Sequence, residues 1–121
     1  MTADSPAPTE TPRSTDRPVR LADGDELDAF VAAHDRVLVD FYTKGCAVCA
    51  SIEPVVGIVA RVTDAAVAMV NPGDDLSLVE TYAVRSVPTL LLFEDGEVVD
   101  RRDDGFQDTE SLVEFVERDA A

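Results

Sequence analysis

The chain has 121 residues, room for one domain but not for two of ordinary size. Acidic side chains number 25 and basic ones 10, for a formal charge of −15; such a field repels phosphate backbones and anionic lipid heads, which excludes nucleic acid and membrane surfaces as expected partners. Hydrophobic residues make up 45%, too many for a wholly disordered chain, and none of their runs reaches the roughly 18–20 residues of a membrane span.

Residues 1–18 hold four of the seven prolines, many Ser and Thr, and no large apolar residue after Met1. Such a segment buries too little surface to offset its ordering entropy, so the sequence predicts a disordered tail over 1–18 and a folded domain over 19–121. The tail also lacks the apolar stretch of about 7–15 residues that marks a secretory signal, and the expected location is cytoplasmic.

From Val19 the pattern is regular. Leu27, Phe30 and Val31 recur at helical spacing after Asp23 and Asp25, either of which can cap a helix ending near His34. Val37–Tyr42 is a β-branched and aromatic run, read as a strand buried on both faces. Cys46 to Val62 carries Ile52, Val55, Val56, Val59 and Ala60 on one helical face, with a kink expected at Pro54. A short strand at 66–70 ends in the turn residues Asn71-Pro72-Gly73, and Leu76, Val79 and Tyr82 suggest a short helix. Strands at 89–93 and 98–102 flank Glu94-Asp95-Gly96-Glu97, a hairpin signal, and a last helix from Thr109 buries Leu112, Val113, Phe115 and Val116. Alternation of this kind, with a first short strand near Val19, calls for an α/β fold: a central sheet covered by helices on both faces.

Nine of the ten basic residues are Arg and one, Lys44, is Lys. Acid-rich, lysine-poor composition suits a salt-loving organism, because carboxylates hold water in concentrated salt, where a Debye length of about 3 Å at 1 M screens self-repulsion. His34, at a helix end, is expected to have no catalytic role, and Asp74-Asp75 and Asp103-Asp104 are read as solvated surface.

The chemistry lies in Cys46-Ala47-Val48-Cys49. Two cysteines are too few for a disulfide framework. These two fall where the buried strand ends and a helix begins, so the first thiol faces unpaired backbone N–H groups and the positive end of the helix dipole, which favour its thiolate. The second sulfur follows one turn on, within reach of a disulfide. Lys44 adds a nearby cation. The layout suits thiol–disulfide exchange, with Cys46 attacking and Cys49 resolving. Three other uses stay open on spacing alone: a zinc site, which would need ligands from a second chain; a structural disulfide; and a pair of unused buried thiols.

Val37-Leu38-Val39-Asp40-Phe41-Tyr42 followed by Cys46-Ala47-Val48-Cys49 and Pro54, together with Tyr82-Ala83-Val84-Arg85-Ser86-Val87-Pro88-Thr89-Leu90-Leu91-Leu92-Phe93-Glu94-Asp95-Gly96, resembles the thioredoxin family from about Val19 to the C-terminus. The resemblance implies a thioredoxin fold with a mixed sheet of four to five strands. It implies a protein-disulfide reductase that needs no metal or other cofactor beyond its own Cys46–Cys49 disulfide, works as a monomer on disulfide-containing proteins, and is recharged by a donor of the thioredoxin-reductase type. It makes Pro88 the family's cis-proline beside the cysteines and gives Val87 backbone groups for an extended substrate peptide. Gly45 and Gly105 then line the substrate groove, and Asp40 is the buried acid that passes a proton to or from Cys49. A lone Asp in an apolar strand points the same way, since a buried carboxylate is costly without a task or a partner.

The chain departs from the family at three places. Ala47-Val48 replaces Gly-Pro between the cysteines, which leaves the reduction potential open and keeps an isomerase-like or glutaredoxin-like protein as an alternative, beside a redox-sensing binding module. Gly45 stands where the family has Trp, and the chain has none. Met69 stands where many bacterial members have a lysine near the buried acid; without that cation, burial is expected to raise the Asp40 pKa.

Overall fold

Asp40 and its neighbours occupy the middle of the molecule in the computed structural model, which describes residues 16–118. Strand β2 (Arg36–Phe41) is the centre of a five-stranded sheet, with Val37 through Phe41 all buried. On one side it pairs in parallel with β3 (Ala66–Val70), which pairs in parallel with the short edge strand β1 (Val19–Leu21). On the other it runs antiparallel to β4 (Thr89–Glu94), and β4 to β5 (Glu97–Arg102). The order is β1-β3-β2-β4-β5.

Alternation along the strands splits the core in two. Leu38, Val67, Met69, Leu90 and Leu92 face helices α2 (Ala47–Val62) and α4 (Thr109–Arg118), where they meet Ile52, Val56, Leu112 and Phe115. Val37, Val39, Phe41, Leu91 and Phe93 face α1 (Gly24–Ala33) and α3 (Ser77–Thr81), where they meet Leu27, Val31 and Leu78. Helices therefore cover both faces of a mixed sheet.

Most expected elements form within a residue or two. Asp23 caps α1 by accepting from the Glu26 N–H, and His34 ends it with its ring 4.6 Å from that of Phe30. Tyr42 falls outside β2, although its N–H still reaches Val70 O at 3.1 Å. Helix α2 continues past Pro54 to Val62. The hairpin turn puts Asp95 and Gly96 both at positive φ, as a tight two-residue turn requires.

Two expectations gain detail. The short helix is anchored by Leu78, 4% exposed, whereas Leu76 is 70% exposed and only flanks it; five residues are too few for helical spacing to show which side is buried. Asp74, Asp103 and Asp104 are exposed, as expected of solvated surface, and Asp75 and Asp104 also tie the chain together. Asp75 accepts from the N–H groups of Gly24 and Ser77 and from the Ser77 hydroxyl, tying α1 to α3. Those bonds hold its carboxyl below the usual carboxylate range, and Asp104 accepts from Gln107 at 2.8 Å. The expected tail over 1–18 falls outside the described residues except for 16–18.

Candidate functional site

The chain leaves the end of β2 and turns into α2 through Gly45, whose φ of +80° suits glycine. Cys46 is the N-cap of α2: its Sγ accepts from the Cys49 N–H at 3.1 Å, and its carbonyl from Ala50. The helix terminus thus directs a backbone N–H at the first sulfur. Cys46 and Cys49 are joined as a disulfide with Cα atoms 5.2 Å apart. Cys46 is half-buried, while Cys49 is 4% exposed, so the two sulfurs differ in access.

The loop before β4 faces the disulfide. Val87 O lies 3.9 Å from Cys46 Sγ; in the disulfide that sulfur has no proton to donate, so this is a contact. The Val87–Pro88 peptide is cis, Pro88 is buried, and the Thr89 hydroxyl ties the loop by donating to Ser86 O at 2.6 Å. Beside the pair lies a cavity of about 210 Å³ whose lining includes Lys44, Gly45, Cys46, Cys49, Glu53 and Met69. Lys44 itself is exposed. Gly105, at φ +101° after β5, is not among the residues lining that cavity.

Asp40 lies behind this surface on the α2 side of the sheet, paired in register with Met69 and Leu90. It is fully buried, and neither carboxylate oxygen has a hydrogen-bond partner. Burial, helped by the negative charge of Glu53 and opposed by Arg20, pushes its pKa up to about 7. Met69 supplies no cation, in line with the shift expected from the sequence.

Sequence reasoning missed Arg20 and Glu53, which form an ion pair with each other. Glu53 was within reach, because Cys49 and Glu53 at i and i+4 share one face of α2. Arg20 was not, because only the register of β1 on β3 brings it to this row of the sheet.

Among the described residues, no group of three or more His, Cys, Asp or Glu is arranged to hold a metal ion, and no helix is long and apolar enough to cross a membrane.

Comparison with known proteins agrees with the geometry. The thioredoxin family model matches residues 18–118. Thioredoxin from Chlamydia caviae is 34% identical over 99 residues, covering 81% of this chain and 95% of that protein. Thioredoxin from Chlamydia pneumoniae is 32% identical over 103 residues, covering 84% and 99%. Among solved structures, an Asn-to-Gln variant of thioredoxin from Halobacterium salinarum superposes with a TM-score of 0.83 at 42% identity, covering 87% of this chain and 92% of that one. Kinship of this kind implies, in general terms, disulfide-containing protein substrates and a reductase that returns the electrons. With the match running through the whole described fold and a cysteine pair already closed into a disulfide, the chain belongs to the thioredoxin family and is a thiol–disulfide oxidoreductase that reduces protein disulfides.

Proposed function

We propose that this chain is a cytoplasmic, monomeric reductant in which Cys46 is the nucleophile and Cys49 the resolving thiol. One observation carries the assignment: of two sulfurs in one disulfide, Cys46 is reachable and accepts a helix N–H, while Cys49 is buried. In the dithiol form the Cys46 thiolate attacks a substrate disulfide, forming a mixed disulfide and releasing one substrate thiolate. Cys49 then loses its proton to Asp40 and attacks the Cys46 sulfur. The Cys46–Cys49 bond forms, the mixed disulfide breaks, and the second substrate thiolate leaves. Two electrons have passed to the substrate, and a donor of the thioredoxin-reductase type restores them.

Several neighbours support these steps. An Asp40 titrating near neutrality can both take and return a proton. The Val87 backbone, held beside Cys46 by Pro88, offers an extended substrate peptide a strand-like partner. Gly45 adds no side chain to the groove beside Cys46, Lys44 adds positive charge at its rim, and the place of Gly105 in the groove rests on the family resemblance. The −15 charge and the halophile relative favour a salt-rich cytoplasm as the setting.

Replacing Cys49→Ser tests the assignment. The variant is expected to accumulate a mixed disulfide with a protein substrate through Cys46, visible as a band lost on reduction, and Cys46→Ser to form none. Partner retention without a covalent link would instead identify a redox-sensing binding module. The potential of the couple, set by the Ala47-Val48 dipeptide, separates the enzyme readings: about −270 mV marks a general reductant, about −180 mV an isomerase-like protein.

A further inference from the structure

Register aligns five residues in one row across the sheet: Arg20 on β1, Met69 on β3, Asp40 on β2, Leu90 on β4 and Arg102 on β5. The row faces α2 and α4, where Met69 and Leu90 join the core. Cations therefore stand at both ends of a row whose centre is a buried carboxyl without a partner. Arg102 is engaged elsewhere: it lies over the Phe115 ring at 4.6 Å and donates to Gln107 Oε1 and Ser111 Oγ at 3.0 and 3.1 Å. Arg20 points the other way. Its guanidinium sits 5.4 Å from the Tyr42 ring centre and donates to Glu53, a residue lining the cavity beside Cys49.

We propose that Arg20 and Glu53 are positioning residues that act as a pair to set how readily Asp40 takes and gives up its proton. The inference rests on the reading of Asp40 as proton acceptor for Cys49. The pair stands two strands from Asp40 on one side and on the overlying helix on the other, so its two charges act on the carboxyl with opposite sign. The strand between them carries Met69, not a cation, at this position of the row. The groups that face Asp40 from the packed elements are then Glu53 and the cysteine pair on α2, Arg20 on β1, Tyr42 just after β2, and Arg102 on β5. The acids of α4 (Glu110, Glu114 and Glu117) line a separate groove on the outer surface. The negative charge of Glu53 holds the proton on Asp40, and the positive charge of Arg20 draws it off.

Such control differs from a bridge that only fastens β1 to α2. A fastening bridge responds alike to the loss of either partner and is rescued by exchanging them. Electrostatic control responds with opposite signs and inverts on exchange. The Asp40 carboxyl is followed by carbon-13 NMR in the full-length oxidised protein at low salt, where no thiol reacts. Glu53→Gln is expected to lower the Asp40 midpoint and Arg20→Gln to raise it, each by about half a pH unit, given a pair that is half exposed and partly screened. The exchanged double variant, Arg20→Glu with Glu53→Arg, keeps the bridge and is expected to titrate below the parent. Midpoints that move together, that stay still, or that return to the parent value on exchange would overturn the proposal. Failure of the cysteine assignment shows separately, in the Cys49→Ser trapping experiment, which makes no use of this pair.

Discussion

The two faces of the sheet are built from the same three inner strands, yet they carry different physics. The face under α1 and α3 is apolar except for Thr89 at its end, whose hydroxyl is satisfied by Ser86 O: Val37, Val39, Phe41, Ala66, Ala68, Leu91 and Phe93 meet Leu27, Val31 and Leu78. The face under α2 and α4 is equally dry, but it encloses a carboxyl with no hydrogen-bond partner and ends beneath the disulfide. One face does nothing but hold the fold. The other trades part of that stability for a group that titrates near neutrality, since a carboxyl kept from water resists ionising.

Leu90 and Leu91 are consecutive on β4, almost fully buried, and point to opposite faces. They give the sharpest way to break the comparison. Replacement of either by Ala is expected to destabilise the protein by about 2–5 kcal/mol, the usual range for a buried leucine. The two losses should differ with pH. Leu91→Ala removes packing from the plain face, so its cost in urea unfolding stays constant from acid to alkaline conditions. Leu90 is the register partner of Asp40; its removal leaves space beside the carboxyl, eases the burial penalty, and makes the cost smaller at high pH. Equal pH dependence in the two variants would show the faces to be equivalent.

The next effect belongs to Asp40 alone. Its native pKa of about 7 lies above the ordinary carboxyl value of 3.8, so the folded state binds more protons than the unfolded state between those values. The stability tied to its protonated form is complete below about 3.8 and is lost as pH rises through about 7. From about pH 5 to about pH 9 the loss from this one group is about 3 kcal/mol. Asp40→Asn cannot ionise, so denaturant unfolding of that variant should lack this part of the slope and show higher stability than the parent at alkaline pH. The same substitution should slow release of substrate from the mixed disulfide, because in the proposed mechanism Asp40 takes the Cys49 proton. A parent slope retained in Asp40→Asn would place the titration elsewhere.

Much of this contrast was legible in the sequence, and the physical reason is local. The run Val37–Phe41 announces a strand buried on both sides, and one acid inside it announces an expense that needs an explanation. Cys46-Ala47-Val48-Cys49 at a strand-to-helix junction fixes the reactive end by spacing. What escaped reading was whatever depends on register between distant segments. Arg20 joins the Asp40 row only because a three-residue edge strand pairs on β3 as it does, and nothing in Val19-Arg20-Leu21 specifies that alignment. Asp75 escaped for the same reason: its bond to Gly24 spans 51 residues, so the side chain resembles any surface acid until the fold brings α1 to it. The groove attributed to Gly105 rests on the family resemblance, since its own residues state only a turn.

The smallest expected effect separates geometry from electrostatics at the chemical face. Gly45 has φ +80°, and a Cβ built there meets nothing within 4 Å. Gly45→Ala therefore introduces no collision, only the strain of a left-handed backbone, which costs about 1 kcal/mol. That cost should be the same at every pH, because no ionisable group is touched and Asp40 stays as buried as before. Reactivity should respond by a different route. If the alanine relaxes toward negative φ, the N-cap geometry that directs the Cys49 N–H at the Cys46 sulfur is lost, and alkylation of Cys46 in the reduced protein slows as its thiolate loses a donor. A variant with the full stability loss and unchanged alkylation would mean that the backbone holds its turn under strain, and that the helix terminus, not Gly45, positions the nucleophile.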